Sequence, residues 1–394
     1  MILYHKKFKR VFLVVSVIAC LVFLRYRNDF RGILSVLEAS VFKNPFADHQ
    51  TKYFDIASLP SSERSQWLPD GRVNAAFVSL ARNNDLRDMV QSVQRLERRF
   101  NHKYHYPWVF LNDEEFNEEF KSRINETASG PVEFGVIPKE HWQMPETVDR
   151  DKMHDNWEKL KNQNILYADS ESYRHMCRFE SGFFYRHPLV KKYEYYWRVE
   201  PSVDFWCDLD FDPFAYMKQN DKVYGFTITV SEYTETIATL WENTRNFLKL
   251  HPDTLHPNNS LNFISDDKGR TYNNCHFWSN FEIAKVDFWE SDAYAKYFDH
   301  LDSSNGFFYE RWGDAPVHSI AAALFTDRES IHFFNEIGYW HPSSGHCPLD
   351  EPTLAKCECS PYDSIDHNGW SCLNKYYDAF DIPYPANWHL YKGV

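Results

Sequence analysis

A chain of 394 residues with a net charge of −13 is long enough for one large domain or two ordinary ones, and 18% aromatic residues supply ample material for a core. That balance excludes disorder over most of the length. The first fifty residues hold eight Lys/Arg against three Asp/Glu, which leaves −18 for the rest and disfavours nonspecific contact with nucleic acid.

Lys6, Lys7, Lys9 and Arg10 precede an apolar run from Val11 to Leu24, and Arg25 and Arg27 follow it. The run is short for a membrane span and also fits a signal-peptide core, but no small-residue cleavage site follows directly. The charge flanks put the N-terminus in the cytosol and the remainder across the membrane. The expected layout is a cytosolic tail at 1–10, a signal-anchor transmembrane segment at 11–27, a stem at 28–70 punctuated by Pro45, Pro60 and Pro69, and a luminal domain at 71–394. Sequons at Asn125 and Asn258 agree with a luminal location.

From residue 72 the pattern alternates. Val73 to Leu80 reads as a strand and Asp85 to Phe100 as a helix, with Leu86, Met89, Val90, Val93 and Leu96 on one face. Tyr106 to Leu111 is a second strand, Glu114 to Ile124 a helix and Val132 to Ile137 a third strand. Met153 to Leu166 and Asp169 to Phe184 read as helices, and Lys222 to Thr229 and Ser330 to Phe334 as further strands. Strands separated by helices predict a largely parallel α/β sheet. No G-x-G-x-x-G follows the first strand, and no P-loop or H-E-x-x-H occurs, which weighs against dinucleotide-binding, P-loop and zincin chemistry.

Chemistry concentrates in four places. Tyr195-Tyr196-Trp197 forms a buried strand that Pro201 stops, so Glu200 falls at a carboxyl end, where open α/β sheets bind ligands. Arg198 lies two residues before it, on the same face. The pair reads either as a structural ion pair beside the solvated acidic turn Asp204, Asp208, Asp210 and Asp212, or as a place for a metal ion and a phosphate. Glu282 sits in the aromatic stretch CHFWSNFEI as a hydrogen-bonded structural carboxylate or a reactive one. Asp314, two residues before Pro316, reads as a helix cap or as a group that reaches an acceptor hydroxyl. His341 precedes a proline and is extended, and reads either as a structural histidine or as one whose ring points into a cleft. Cys177, Cys207, Cys275, Cys347, Cys357, Cys359 and Cys372 lack zinc spacing and fit disulfides in an oxidising compartment, with at least one thiol unpaired within the chain.

The stretches YWRVEP, CDLDFDPF, YGFTI, CHFWSNFEI, FFYERWGDAPVHSIAAALF and IGYWH together resemble the fungal Golgi α-1,2-mannosyltransferase family, glycosyltransferase family 15, over about residues 72 to 375. The resemblance implies a GT-A-like mixed α/β sheet flanked by helices, behind an N-terminal signal anchor and stem. It implies retaining transfer of mannose from GDP-mannose to a mannose acceptor on N- or O-linked glycans, with Mn²⁺. By position it makes Glu200 and His341 metal ligands, Glu282 the proposed nucleophile and Asp314 an acidic residue near the reacting sugars. Arg82, Tyr173 and Arg198 match residues that contact the donor. His318 and the Asp208, Asp210, Asp212 row lie in matching motifs with no role implied. A mannosylphosphate transferase on the same fold and a non-catalytic glycan-binding protein are the alternatives, and the presence of Glu200, Glu282, Asp314 and His341 weighs against the second.

Overall fold

The computed structural model describes Arg64 and residues 67–391. The chain divides into a unit Met1–Gln50 and a unit Thr51–Val394. The expected tail, signal anchor and most of the stem lie outside the described residues. No helix among the described residues is long and apolar enough to cross a membrane.

Strands β1 (Ala75–Leu80), β2 (Trp108–Asn112), β3 (Val132–Val136) and β4 (Tyr195–Arg198) come first along the chain. Then follow β5 (Asp204–Phe205), β6 (Tyr224–Phe226), β7 (Thr229–Ser231), β8 (Cys275–Phe277), β9 (Glu282–Lys285), β10 (Ile331–Phe333), β11 (Tyr339–His341) and β12 (Ser344–His346). Seven of them form the central sheet in the order β10-β6-β9-β4-β1-β2-β3. Strands β1, β2 and β4 are buried on both faces apart from the last residue of β1, as inner parallel strands of continuous apolar sequence should be. The Leu86–Arg99 helix buries Met89, Val93 and Leu96, spaced at helical intervals, beneath this sheet. Phe77 packs its ring 4.5 Å from Trp108 and 5.6 Å from Trp197, which joins β1, β2 and β4 into one core.

The sheet is mixed and, as expected, largely parallel: four of its six strand pairs are parallel and both antiparallel pairs involve β9. Strand β9 runs antiparallel between β4 and β6, while β10 pairs parallel with β6. Because β9 starts where β4 ends, Glu282 stands directly across from Arg198 at the carboxyl edge of β4. The expected strand Lys222 to Thr229 is broken at Thr227. Its first half stays in the central sheet and its second half, β7, leaves to pair with β8. The other expected elements are present with shifted ends: the helix after β2 begins at Glu118, because Asn117 caps it through the Phe120 N–H.

A second sheet, β12-β11-β5, carries His341. It is tied at both ends. Cys207, just after β5, bonds Cys357, and Cys347, just after β12, bonds Cys359. A third disulfide joins Cys275 to Cys372, and Cys177 is the buried free thiol that an odd count required. A side chain at Gly338 would place its Cβ 2.5 Å from Cys207 Sγ, so only glycine lets β11 lie this close to the disulfide. Asn125 and Asn258 are both exposed.

Candidate active site

Arg198 is the hub. Its Nη1 donates to Asp314 Oδ2 at 2.5 Å and its Nη2 to Glu200 Oε1 at 2.6 Å. Glu180 Oε2 lies 3.9 Å from the same Nη1. The guanidinium is 8% exposed, so the three carboxylates compensate a charge that burial would otherwise make costly. Pro201 ends β4 and turns Glu200 outward, where its side chain is 24% exposed and its second oxygen lies 3.3 Å from His341 Nε2. Burial alone would raise the Glu200 carboxyl, but Arg198 and the His341 hydrogen bond outweigh it and hold the group at about 2.

His341 reaches this position because β11 pairs antiparallel with β5, which follows Glu200 by four residues. The Trp206 N–H donates to the Gly338 carbonyl at 2.8 Å and so sets the height of β11. The Trp278 ring stands edge-on 4.8 Å from the imidazole. His341 Nδ1 is buried without a hydrogen-bond partner, and Nε2 faces Glu200. An imidazole nitrogen and a carboxylate oxygen at this spacing form a mixed N/O donor pair suited to a divalent ion such as Mn²⁺.

Asp314 is not the cap of its helix. Gly313 occupies that position, and the helix runs Asp314–Phe325. The carboxylate instead turns to Arg198 and accepts from Ser279 Oγ at 2.7 Å, both on Oδ2. Burial works to raise it, and Arg198, His318 and Ser279 together bring it below the usual carboxylate range. Glu180 is the opposite case: burial dominates and pushes its carboxyl up to about 7 despite Arg198.

Glu282 has no exposed surface. Its Oε1 accepts from Tyr196 Oη at 2.6 Å, and its Oε2 from Tyr224 Oη at 3.0 Å and faces His318 Nδ1 at 3.0 Å. His318 Nε2 points at the Glu180 carbonyl oxygen at 3.0 Å, so that nitrogen carries a proton. A second proton therefore lies between Nδ1 and Glu282. Burial lowers the His318 imidazole and the Glu282 charge more than offsets this, for a net rise.

The remaining sequence candidates are spread around this cluster. Tyr173 stacks on Tyr167 at 4.6 Å, with the Arg311 guanidinium 5.2 Å from its ring centre. Arg82 follows β1 at the same sheet edge as Glu200 and is 71% exposed, paired with Asp85 at 3.1 Å. The acidic row separates into structural duties. Asp208 pairs with Arg99 at 2.7 Å, Asp210 with Lys356 at 2.5 Å, and Asp212 caps the Pro213–Gln219 helix. Sequence reasoning missed Glu180, Tyr196 and Tyr224 as members of the cluster. Tyr196 alternates with Arg198 on β4, which was a readable signal; Glu180 sits in the last turn of the Glu171–Gly182 helix with nothing in its neighbours to mark it.

The family described as "Glycolipid 2-alpha-mannosyltransferase" matches residues 38–381. The chain is 66% identical to the O-glycoside alpha-1,2-mannosyltransferase omh1 of Schizosaccharomyces pombe over 98% of both chains. It is 53% identical to alpha-1,2 mannosyltransferase KTR1 of Saccharomyces cerevisiae over 82% of both. Its fold matches core-mannan synthase A (CmsA/Ktr4) of Aspergillus fumigatus, solved in a Mn/GDP form, with a TM-score of 0.76 and 39% identity over 84% of this chain and 90% of that one. The mannosyltransferase Ktr4p of S. cerevisiae in complex with GDP gives 0.75 and 40% over 81% and 84%.

Proposed function

This chain belongs to the glycolipid 2-alpha-mannosyltransferase family, and from that premise we propose that it transfers mannose from GDP-mannose to the 2-hydroxyl of a mannose acceptor with retention of the α configuration. The carrying observation is the meeting of Glu200 and His341, 3.3 Å apart and beside Arg198, at the carboxyl edge of the central sheet. The 66% identity to an O-glycoside mannosyltransferase supports an O-linked glycan as the acceptor.

Glu200 Oε2 and His341 Nε2 would hold Mn²⁺, since Oε1 is already engaged by Arg198. When bound there, the ion supplies charge neutralisation for the departing diphosphate. Arg198 contributes a second, fixed positive charge at the same edge and keeps Glu200 ionised. Tyr173 and Arg82 extend the donor site, the second from an exposed position suited to the nucleotide. Asp314 keeps both internal hydrogen bonds on Oδ2, which leaves Oδ1 open to the acceptor hydroxyl.

Glu282 acts as a charge stabiliser beneath this edge, not as a nucleophile. Its lack of exposure and its three donors leave no oxygen free to reach an anomeric carbon. It faces Arg198 across the β4–β9 pair, so its charge supports that of the guanidinium. Retention then proceeds by attack on the leaving-group side. The N-terminal run 11–24 is proposed as a Golgi signal anchor with residues 71–394 luminal; protease protection of the 71–394 domain in intact vesicles tests this, and its digestion there would sink it.

Incubating the purified domain 71–394 with GDP-mannose and methyl α-mannoside, with and without Mn²⁺, tests the activity. The expected product gains one hexose in α-1,2 linkage and requires the metal. No product, or a mass gain of hexose plus phosphate, would overturn the reading.

A further inference from the structure

Away from the Arg198 cluster, the Leu240–Leu250 helix and the segment Ser265–Asn274 enclose an open cavity of about 500 Å³. Three cations line it: Arg245, Lys249 and Arg270. None of them forms an ion pair with a carboxylate among the described residues, and one carboxylate, Glu242, shares the wall. All three are exposed, on a chain that is otherwise strongly acidic, with a net charge of −13. Arg245 Nη1 donates to the Arg270 carbonyl at 3.2 Å and Lys249 Nζ to Asn246 Oδ1 at 3.1 Å, but neither contact neutralises charge, so the three cations together create a local positive potential at this concavity.

The cavity wall is held in place before any ligand arrives. Trp241 Nε1 donates to the Gly269 carbonyl at 3.3 Å, and the Trp241 and Tyr272 rings stack at 5.7 Å. Asp267 accepts from the Ser265 hydroxyl and from the Thr271 N–H and hydroxyl, which locks the loop that presents Arg270. Arg245 and Lys249 are spaced i, i+4 on one helix face, with Cβ atoms about 6 Å apart. That is a stripe of charges, with Arg270 across from it. A single phosphate calls for donors converging on one point; a stripe suits several carboxylates along an extended backbone.

The cavity also stands in a fixed relation to the reaction centre. Asn274 lines it, and five residues on, through β8, Ser279 bonds Asp314. That stretch spans at most about 16 Å, which sets an upper limit on how far the cavity lies from Asp314 along this path. The Thr236 carbonyl, at the end of the turn that begins with the lining residue Thr234, accepts from the Arg311 N–H three residues before Asp314.

We infer that this cavity binds an acidic stretch of the polypeptide that carries the acceptor sugar. The inference rests on the mannosyltransferase reading and names what lies beyond the reacting mannose. The three cations engage Asp and Glu side chains flanking the glycosylated residue and lower the KM for such acceptors, with kcat unchanged.

Two readouts test it with the full-length chain, as wild type and as the triple variant Arg245→Ser, Lys249→Ser, Arg270→Ser. The first compares a mannosylated peptide flanked by Asp and Glu with the same peptide carrying Asn and Gln. Wild type should show a KM about tenfold lower for the acidic peptide, the size expected of three solvent-screened charge contacts. The triple variant should lose that difference, while its kinetics on methyl α-mannoside match wild type. The second readout is fluorescence anisotropy of the labelled acidic peptide without sugar, which reports on the cavity whether or not transfer occurs. Binding by wild type that is lost in the variant and weakened by salt supports the inference. Equal KM for both peptides, or anisotropy binding unchanged by the variant, overturns it, as does a preference for a phosphorylated mannoside over the acidic peptide. Failure to mannosylate methyl α-mannoside would instead strike the activity reading.

Discussion

Replacing Glu282 by Gln separates the two ways in which this site could retain configuration. The carboxylate takes three contacts, from Tyr196 at 2.6 Å and from Tyr224 and His318 at 3.0 Å each. An amide of the same shape offers one acceptor oxygen and one NH₂. The Tyr196 hydroxyl can rotate to accept from that NH₂. His318 cannot adapt as easily, because its Nε2 proton is committed to the Glu180 carbonyl. With no carboxylate to balance it, Nδ1 loses its proton and faces either an amide oxygen or a group that Tyr224 also needs. One buried contact is left mismatched, at a cost of about 1–3 kcal/mol. For a domain of this size that lowers Tm by roughly 1–5 °C. The lost negative charge opposite Arg198 should slow transfer by about 10²–10³-fold, the loss typical of one preorganised electrostatic partner. A nucleophile's removal would cost on the order of 10⁶-fold. Initial rates of GDP release with methyl α-mannoside, together with calorimetry, measure both quantities. A mannosyl adduct trapped on Glu282, a loss beyond about 10⁵-fold, or a rate within about threefold of wild type would refute the charge-stabiliser assignment.

Three further outcomes follow from the same cluster. His341→Ala should raise the Mn²⁺ concentration needed for half-maximal rate by at least about tenfold with little change in Tm, since the ring is 24% exposed; an unchanged metal titration would remove it from the ligand set. Arg198→Met strands Asp314 and Glu200 without their shared partner and should cost about 3–5 kcal/mol, or roughly 4–7 °C in Tm; calorimetry showing a shift under about 2 °C contradicts the hub. Glu180 carries a folded pKa of about 7 against 4.5 for the free side chain, so the folded state binds the extra proton between those values. Its contribution is therefore full below pH 4.5 and is lost as pH rises through 7, by on the order of 3 kcal/mol. Urea unfolding at pH 5 and pH 8 should show Glu180→Gln with a smaller drop than wild type; identical drops would show that the group is ionised throughout.

Much of this protein was readable along the chain. Alternating strands and helices announced an α/β sheet, and Pro201 marked where β4 must stop, which places Glu200 just past the carboxyl end of that strand. The position of Arg198 two residues earlier made their contact a matter of strand periodicity, and the seven cysteines beyond the first required one unpaired thiol. These are local properties: propensity, spacing and parity act over a few residues and survive any tertiary arrangement.

Tertiary structure decided the rest. The insertion of β9 antiparallel beside β4 placed Glu282 as a fully buried carboxylate opposite Arg198, and no local pattern encodes which strand becomes whose neighbour. Asp314 looks like a helix cap in one dimension; only the approach of Arg198 and Ser279, 116 and 35 residues away, draws its carboxylate off the helix end. Glu180 is an ordinary helical glutamate until burial among three other carboxylates raises its pKa. Strand spacing is set by bonded neighbours, whereas burial and charge depend on which distant segments share a volume, and that is fixed only when the whole core closes.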